Sequence, residues 1–180
     1  MQQFEEIFHQ NKDFIANLGQ DLSNHCVLPN FSKDYQLIQS IGVGNFSEVF
    51  ECENKITGEN CAVKVLEKSK ILARNNFGQL LYEITTLKSL NEQKNQFCPS
   101  LKYIYEGKRY LYLVTDLFVG GNLFDHYINC KDDFSELDCL RTITSVIKGL
   151  AYLEKKEIVH RDIKPANLVL KQKMTLITVQ

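Results

Sequence analysis

From Tyr35 onward the apolar positions follow a period of two. "YQLIQSIG", "SEVFECEN" and "ENCAVKVLE" alternate over short runs, with "KITG" as a turn between the last two, and predict strands of an antiparallel meander. The period then lengthens. "FGQLLYEITTLKSLNEQ" places its apolar residues three and four apart, as a helix with one buried face does. "LKYIYEGKRYLYLVTD" returns to two strands that turn at "EGK", and the paired glycine Gly120-Gly121 in "TDLFVGGN" marks a lobe boundary. A short helical stretch, "NLFDHYIN", and a longer helix, "ELDCLRTITSVIKGLAYLEKK", follow. Ahead of the meander, Phe4, Phe8, Phe14, Ile15, Leu18 and Leu22 recur at near-helical spacing, predicting an amphipathic helix over residues 2–23 and then a loop, "SNHCVLPNFSKD". The expected organisation is α+β: an extension over 1–34, a five-stranded antiparallel sheet with one helix over 35–116, and a mainly helical part over 117–180.

Composition narrows the function classes. With 180 residues, 44% hydrophobic and 24% charged, the chain has material for one domain or two small lobes. A net charge of -1 gives no global attraction to nucleic acid or anionic membrane, so neither is an expected partner. The N-terminus interleaves acids and amides with apolar residues, unlike a signal peptide, and a cytosolic or nuclear location is expected. Cys26, Cys52, Cys61, Cys98, Cys130 and Cys139 include no C-x-x-C pair, which argues for reduced structural thiols over a zinc site or a disulfide framework. The sequons at Asn30 and Asn45 have no meaning without a secretory route.

Four stretches carry chemistry. In "IGVGNFSEV" the G-x-G of Gly42 and Gly44 lies between two strand-like runs, where absent side chains let backbone N–H groups approach a phosphate; an ordinary glycine hairpin reads the same way. In "CAVKVLE" the alternation sets Lys64 in a row with Ala62 and Leu66, and in "LLYEITTL" Glu83 shares a helix face with Leu80 and Leu87. Each charge on an apolar face needs a partner, and a Lys64–Glu83 ion pair supplies both, although either residue could stand at a lobe edge by chance. In "HRDIKPANLVL" the polar residues lie on a loop entered from Ile158-Val159 and left by a strand. Asp162 can accept a proton from a hydroxyl, Lys164 can neutralise a transferring phosphoryl group, and Asn167 offers a hard carbonyl oxygen to Mg²⁺, with Pro165 stiffening the segment.

Taken in order, these motifs resemble those of the eukaryotic protein kinases over roughly residues 35–180. Gly42-x-Gly44 is similar to the glycine-rich loop, "AVK" to the strand with the phosphate-pairing lysine (Lys64), Glu83 to the helix glutamate, and His160-Arg161-Asp162 with Asn167 to the catalytic loop. The resemblance implies ATP and Mg²⁺ as cofactors and a protein hydroxyl as acceptor. It implies nucleotide contacts from Ile41, Gly42, Gly44, Val49, Ala62, Lys64 and Val169, a gatekeeper at Thr115, and adenine hydrogen bonds from the backbone of Asp116 and Phe118. Asn167 would be the metal ligand; Asp162, Lys164, Lys64 and Glu83 would be catalytic. Lys164 in "DIKPAN" resembles Ser/Thr kinases, and "GVGNFSEVF" and "GGNLFDHYI" are similar to the calcium/calmodulin-dependent group, which implies calmodulin-type regulation.

Two departures shape the expectation. Ser47 stands where the family has a third loop glycine. The slot for the D-F-G aspartate falls on or next to Gln180, so the sequence reads as a kinase domain cut before or at that motif, with the Leu137, Leu140, Ile143, Ile147 and Leu150 face of the long helix uncovered. Its rivals are an inactive kinase-like fragment that binds nucleotide or a partner protein, and an N-terminal interaction helix carrying an inert remnant.

Overall fold

The computed structural model describes residues 27–44, 47–73, 77–91, 97–129, 134–171 and 177–179. The amphipathic helix expected over 2–23 lies outside them.

The chain falls into two units. One comprises the described residues up to Ile84 with Lys102–Thr115; the other comprises those of Thr85–Leu101 and from Asp116 onward. The first is built on a sheet of β1 (Val27–Pro29), β2 (Tyr35–Val43), β3 (Ser47–Asn54), β4 (Asn60–Glu67), β5 (Leu101–Glu106) and β6 (Tyr110–Asp116), in the order β1-β5-β6-β4-β3-β2. The five expected strands are present. β2 with β3 and β3 with β4 are antiparallel, and a turn as short as 107–109 permits no other pairing of β5 with β6. The sheet nevertheless has six strands and is mixed, because β1 adds to β5 in parallel, Val27 opposite Ile104. This corrects the expected five-stranded antiparallel sheet. Three residues inside a loop-like stretch carry no period of their own, and their pairing partner lies far along the chain.

The segment from Val27 to Asp34 is held by its side chains as well. After β1, a single helical turn, α1 (Phe31–Asp34), inserts Phe31 into the core. Its ring stacks on Tyr112 (centroids 4.6 Å apart) and Tyr35 (5.4 Å) and meets Tyr105 edge-on (5.6 Å). Around these rings pack Cys52, Cys61, Val63 and Val114. Tyr105 donates from its hydroxyl to Asp34 Oδ2 (2.9 Å), and burial followed by this carboxylate raises the Tyr105 pKa. Cys52 and Cys61 lie directly opposite each other in β3 and β4, and burial pushes Cys52 up to about 12, leaving it inert at neutral pH.

Two further helices join this unit where one was expected: α2 (Lys68–Ala73), directly after β4, and the first half of α3 (Phe77–Asn91). α3 buries Leu80 and Ile84 in the first unit, whereas Leu90 packs in the second with Cys98 and Leu153. Asn91 closes the helix by clasping Leu101, accepting from its N–H at Oδ1 (2.9 Å) and donating to its carbonyl.

In the second unit, α4 (Leu123–Asn129) and α5 (Glu136–Lys155) are each capped by sequence-local chemistry. Asn122 accepts from Asp125 N–H (2.8 Å), and Ser135 with Asp138 forms a capping box. β7 (Leu168–Leu170) pairs antiparallel with β8 (Ile177–Val179), and Leu168 and Leu170 pack with Leu123. The paired glycine reads onto this strand: Gly120 N–H donates to the Leu170 carbonyl and Leu170 N–H to the Gly121 carbonyl, both at 2.9 Å. Gly121 takes φ +73°, a conformation that explains a glycine there. Along α5, Leu137, Leu140, Ile143 and Ile147 are each more than half exposed, whereas Leu150, expected on the same uncovered face, is 38% exposed. No helix among the described residues is long and apolar enough to cross a membrane.

Candidate functional site: two groups of motif residues

In the first unit the sheet register lines up three strands. Gly42 on β2 lies opposite Val49 on β3, and Val49 lies opposite Lys64 on β4. Ala62, two residues before Lys64, shares its face and is buried, while Val63 points the other way into the aromatic core. Gly44 N–H donates to the Ser47 carbonyl (2.8 Å), closing the turn whose corners, Asn45 and Phe46, lie outside the described residues. A Cβ on Gly44 would come within 3.2 Å of Ser47 Oγ, a close approach that favours glycine. Ile41, next along β2, is half-exposed.

Lys64 and Glu83 meet. Lys64 Nζ lies 2.6 Å from Glu83 Oε1 and 2.8 Å from Oε2, so the ammonium engages both carboxylate oxygens. Their side chains are 31% and 35% exposed, so the desolvation that the apolar pattern suggested is partial. About a third of each side chain remains open to solvent, so an anionic group could reach the pair.

The second unit assembles the loop. Arg161, between His160 and Asp162, has φ +67°, a left-handed backbone uncommon for a residue other than glycine. Asp162 N–H donates to His160 Nδ1 (3.2 Å). Lys164 Nζ lies 2.8 Å from Asp162 Oδ2, and Asn167 donates from Nδ2 to both the Asp162 carbonyl and Oδ2, each at 2.8 Å. Hydrogen bonding from Lys164, then from Asn167, holds the Asp162 carboxyl below its usual range. Because the Asn167 NH₂ is committed to Asp162, its carbonyl oxygen is turned away from that carboxylate, the orientation a hard cation needs. Pro165 opens the 3₁₀ turn Pro165–Asn167 that carries Asn167 back to the loop.

Of the other expected residues, Thr115 ends the first unit's share of β6, and Asp116 begins the second unit, where its N–H donates to the Ser100 carbonyl (3.3 Å) and its carboxylate accepts from Ser100 N–H (3.0 Å). Phe118 is half-buried. Val169 lies between the buried Leu168 and Leu170, so strand alternation turns it away from their core. Ile41, Gly42, Gly44, Val49, Ala62, Lys64, Glu83 and Thr115 thus belong to one unit, and Asp116, Phe118, Asp162, Lys164, Asn167 and Val169 to the other. The Gln180 slot lies outside the described residues.

Sequence reasoning missed a second ion pair, Lys68–Glu106, whose side chains are only 6% and 18% exposed. Nothing local marked it, since "EKSK" reads as a solvated run and "EGK" as a turn.

Comparison with known proteins places this geometry. A family model described as protein kinase domain matches residues 35–179, and the chain belongs to that family. It is 36% identical over 143 residues to calcium-dependent protein kinase 4 of Plasmodium falciparum (isolate 3D7), covering 79% of this chain and 26% of that protein. Against myosin light chain kinase A of Dictyostelium discoideum the identity is 37% over 141 residues, 78% of this chain and 46% of the relative. Serine/threonine-protein kinase sgk-1 of Caenorhabditis elegans is 33% identical over 146 residues, 81% and 31% of the two chains. The chain therefore spans less than half the length of these curated relatives.

Proposed function

We propose that this segment is the ATP-handling part of a protein serine/threonine kinase, which moves the γ-phosphoryl group of ATP to a protein hydroxyl. The observation that carries the reading is the Lys64–Glu83 pair, a contact between two motif residues on different elements, held at 2.6 Å and about one-third exposed on each side. Glu83 orients the Lys64 ammonium, which then neutralises the α- and β-phosphates. The glycines of the β2–β3 turn let backbone N–H groups approach those phosphates.

Asp162 orients the acceptor hydroxyl and takes its proton as the oxygen–phosphorus bond forms and the bond from the γ-phosphorus to the β,γ-bridging oxygen breaks, with ADP leaving. Lys164, against Asp162 in the loop, offsets the negative charge of the transferring group. The residues present fit a divalent cation in one respect, the outward carbonyl of Asn167. No cluster of three or more His, Cys, Asp or Glu suited to a metal occurs among the described residues, so Asn167 would hold Mg²⁺ jointly with the nucleotide's phosphates. Mg²⁺ supplies charge neutralisation on those oxygens.

The same reading extends to a protein substrate and to calcium-linked control of the whole protein, which the names of the calcium-dependent relatives support, and calmodulin dependence rests on the family resemblance alone. Calorimetry of ATP with this chain, with and without Mg²⁺, tests the nucleotide reading, and transfer of radiolabelled phosphate from ATP by the full-length gene product, with and without Ca²⁺, tests the rest. Lys64→Ala is expected to weaken ATP binding by about tenfold or more through loss of a charge-assisted contact. Equal affinity in wild type and Lys64→Ala would exclude this site. The inactive-fragment reading would be favoured by nucleotide binding with no transfer from the full-length product.

A further inference from the structure

We propose that Lys68 and Glu106 are a positioning pair, one that sets where Lys64 and Glu83 meet; the inference deepens the nucleotide reading above and rests on it for its functional consequence. Lys68 is the sole buried polar or charged residue among those described, at 5% exposure. Its Nζ reaches Glu106 Oε1 at 2.5 Å, and its backbone N–H donates to the Arg109 carbonyl at 3.0 Å. Glu106 ends β5 and Arg109 immediately precedes β6, so Lys68 is fastened to both sides of the turn that joins them. That turn is itself closed by Gly107 N–H donating to the Tyr110 carbonyl at 2.9 Å.

The place of Lys68 in the chain gives the attachment its consequence. It is the first residue after β4, the strand that carries Lys64, and it opens α2, which leads toward α3 and Glu83. Ile71, 2% exposed, anchors α2 one turn later. The Lys64–Glu83 pair is itself about one-third exposed on each side, and a partly solvated ion pair is a weak restraint on a helix. The geometry of that pair therefore has to come from elsewhere, and the fastening at Lys68 holds the root of the connection between its two carriers. A buried ion pair seldom outperforms apolar residues of the same volume as a source of stability, yet it tolerates fewer registers. Register is what a lysine pairing with a carboxylate on a separate helix requires.

The test uses the full chain with Lys68→Met, Glu106→Gln and the exchanged double variant Lys68→Glu/Glu106→Lys, together with the conservative Lys68→Arg should a single variant fail to fold. Amide hydrogen exchange is read on residues 68–73 and 77–84, with β3 as the internal reference, and ATP affinity is read beside it. The single variants are expected to speed exchange in 68–73 and 77–84 by about tenfold or more while β3 changes by less than about twofold, as local opening does. ATP affinity should fall by about tenfold, and the double variant should recover part of both losses, since coupling is what a double-mutant cycle isolates. Unchanged protection of α3, or a loss spread evenly over β3 as well, would overturn the proposal by showing no role or a merely structural one. If wild type binds no ATP, the nucleotide reading fails, and the exchange pattern still decides whether the pair positions α3.

Discussion

At the residue scale, the Asp162 carboxylate is shaped by its nearest neighbours. Arg161 beside it takes a left-handed backbone, and Lys164 and Asn167 both donate to Asp162 Oδ2. A depressed pKa means that Asp162 stays ionised, and able to orient and accept, to lower pH than an ordinary aspartate. Lys164→Met removes the larger of the two causes, so the acid limb of kcat/KM is expected to move to higher pH, measured as the pH profile of transfer by the full-length protein. An unmoved limb would mean that Asp162 does not set it. Phe31 makes the opposite kind of contribution, apolar and structural. It is 6% exposed and touches three tyrosine rings, so Phe31→Ala should cost about 3–5 kcal/mol in denaturant unfolding, in the range of other buried aromatic truncations.

At the scale of elements, α5 was legible from the apolar period of "ELDCLRTITSVIKGLAYLEKK", while its start is fixed by the Ser135–Asp138 capping box that the structure shows. Ser135→Ala should destabilise the fold by about 1 kcal/mol, the usual worth of an N-cap, measured as a shift in denaturation midpoint at constant slope. The Ser135 hydroxyl, followed by its backbone, lowers the pKa of Asp138. Stability from that carboxylate is present above the ordinary carboxylate pKa and lost as pH falls through the lowered value, so Ser135→Ala should flatten this part of the pH–stability curve. α3 was legible as a helix, and its Glu83 as a residue in need of a partner. Its division was not: Leu80 and Ile84 serve one core and Leu90 another, and an apolar period reports that a face is buried, not what buries it. The short helix α2 went unread because "KSKILA" offers fewer than two turns of pattern.

At the scale of the whole molecule, packed structure extends upstream of Tyr35. Val27–Pro29 covers the edge of β5, and α1 delivers Phe31 to the core, so a protein begun at Tyr35 loses both. A protein begun at Val27 is expected to unfold at a higher temperature than one begun at Tyr35. The difference should be several degrees, since each kcal/mol moves the midpoint of a domain of 150 residues or more by about 2–4 °C. Equal midpoints would show that the edge strand and Phe31 contribute nothing. The stretch "SNHCVLPNFSKD" carries turn residues, with proline, two asparagines and two serines, and a strand added in parallel to a distant edge leaves no alternation to detect.

The sequence by itself determined the order of the strands and of the longer helices from Tyr35 to Leu170, though not α2, together with the family, and it pointed to the residues proposed to carry its chemistry. Those properties are written in short-range periods and in side-chain types at fixed spacing, which survive without a fold. Tertiary structure alone decided which charges become buried partners. Lys64 was seen to need Glu83 because both lie on apolar faces, whereas Lys68 and Glu106 look solvated in their own neighbourhoods and become a buried pair only when β4 and the β5–β6 turn come together. It also decided that the sheet has a sixth strand and that α3 is shared. Each of these depends on contacts between residues far apart in the chain, where burial and register are properties of the packed state and not of any local segment.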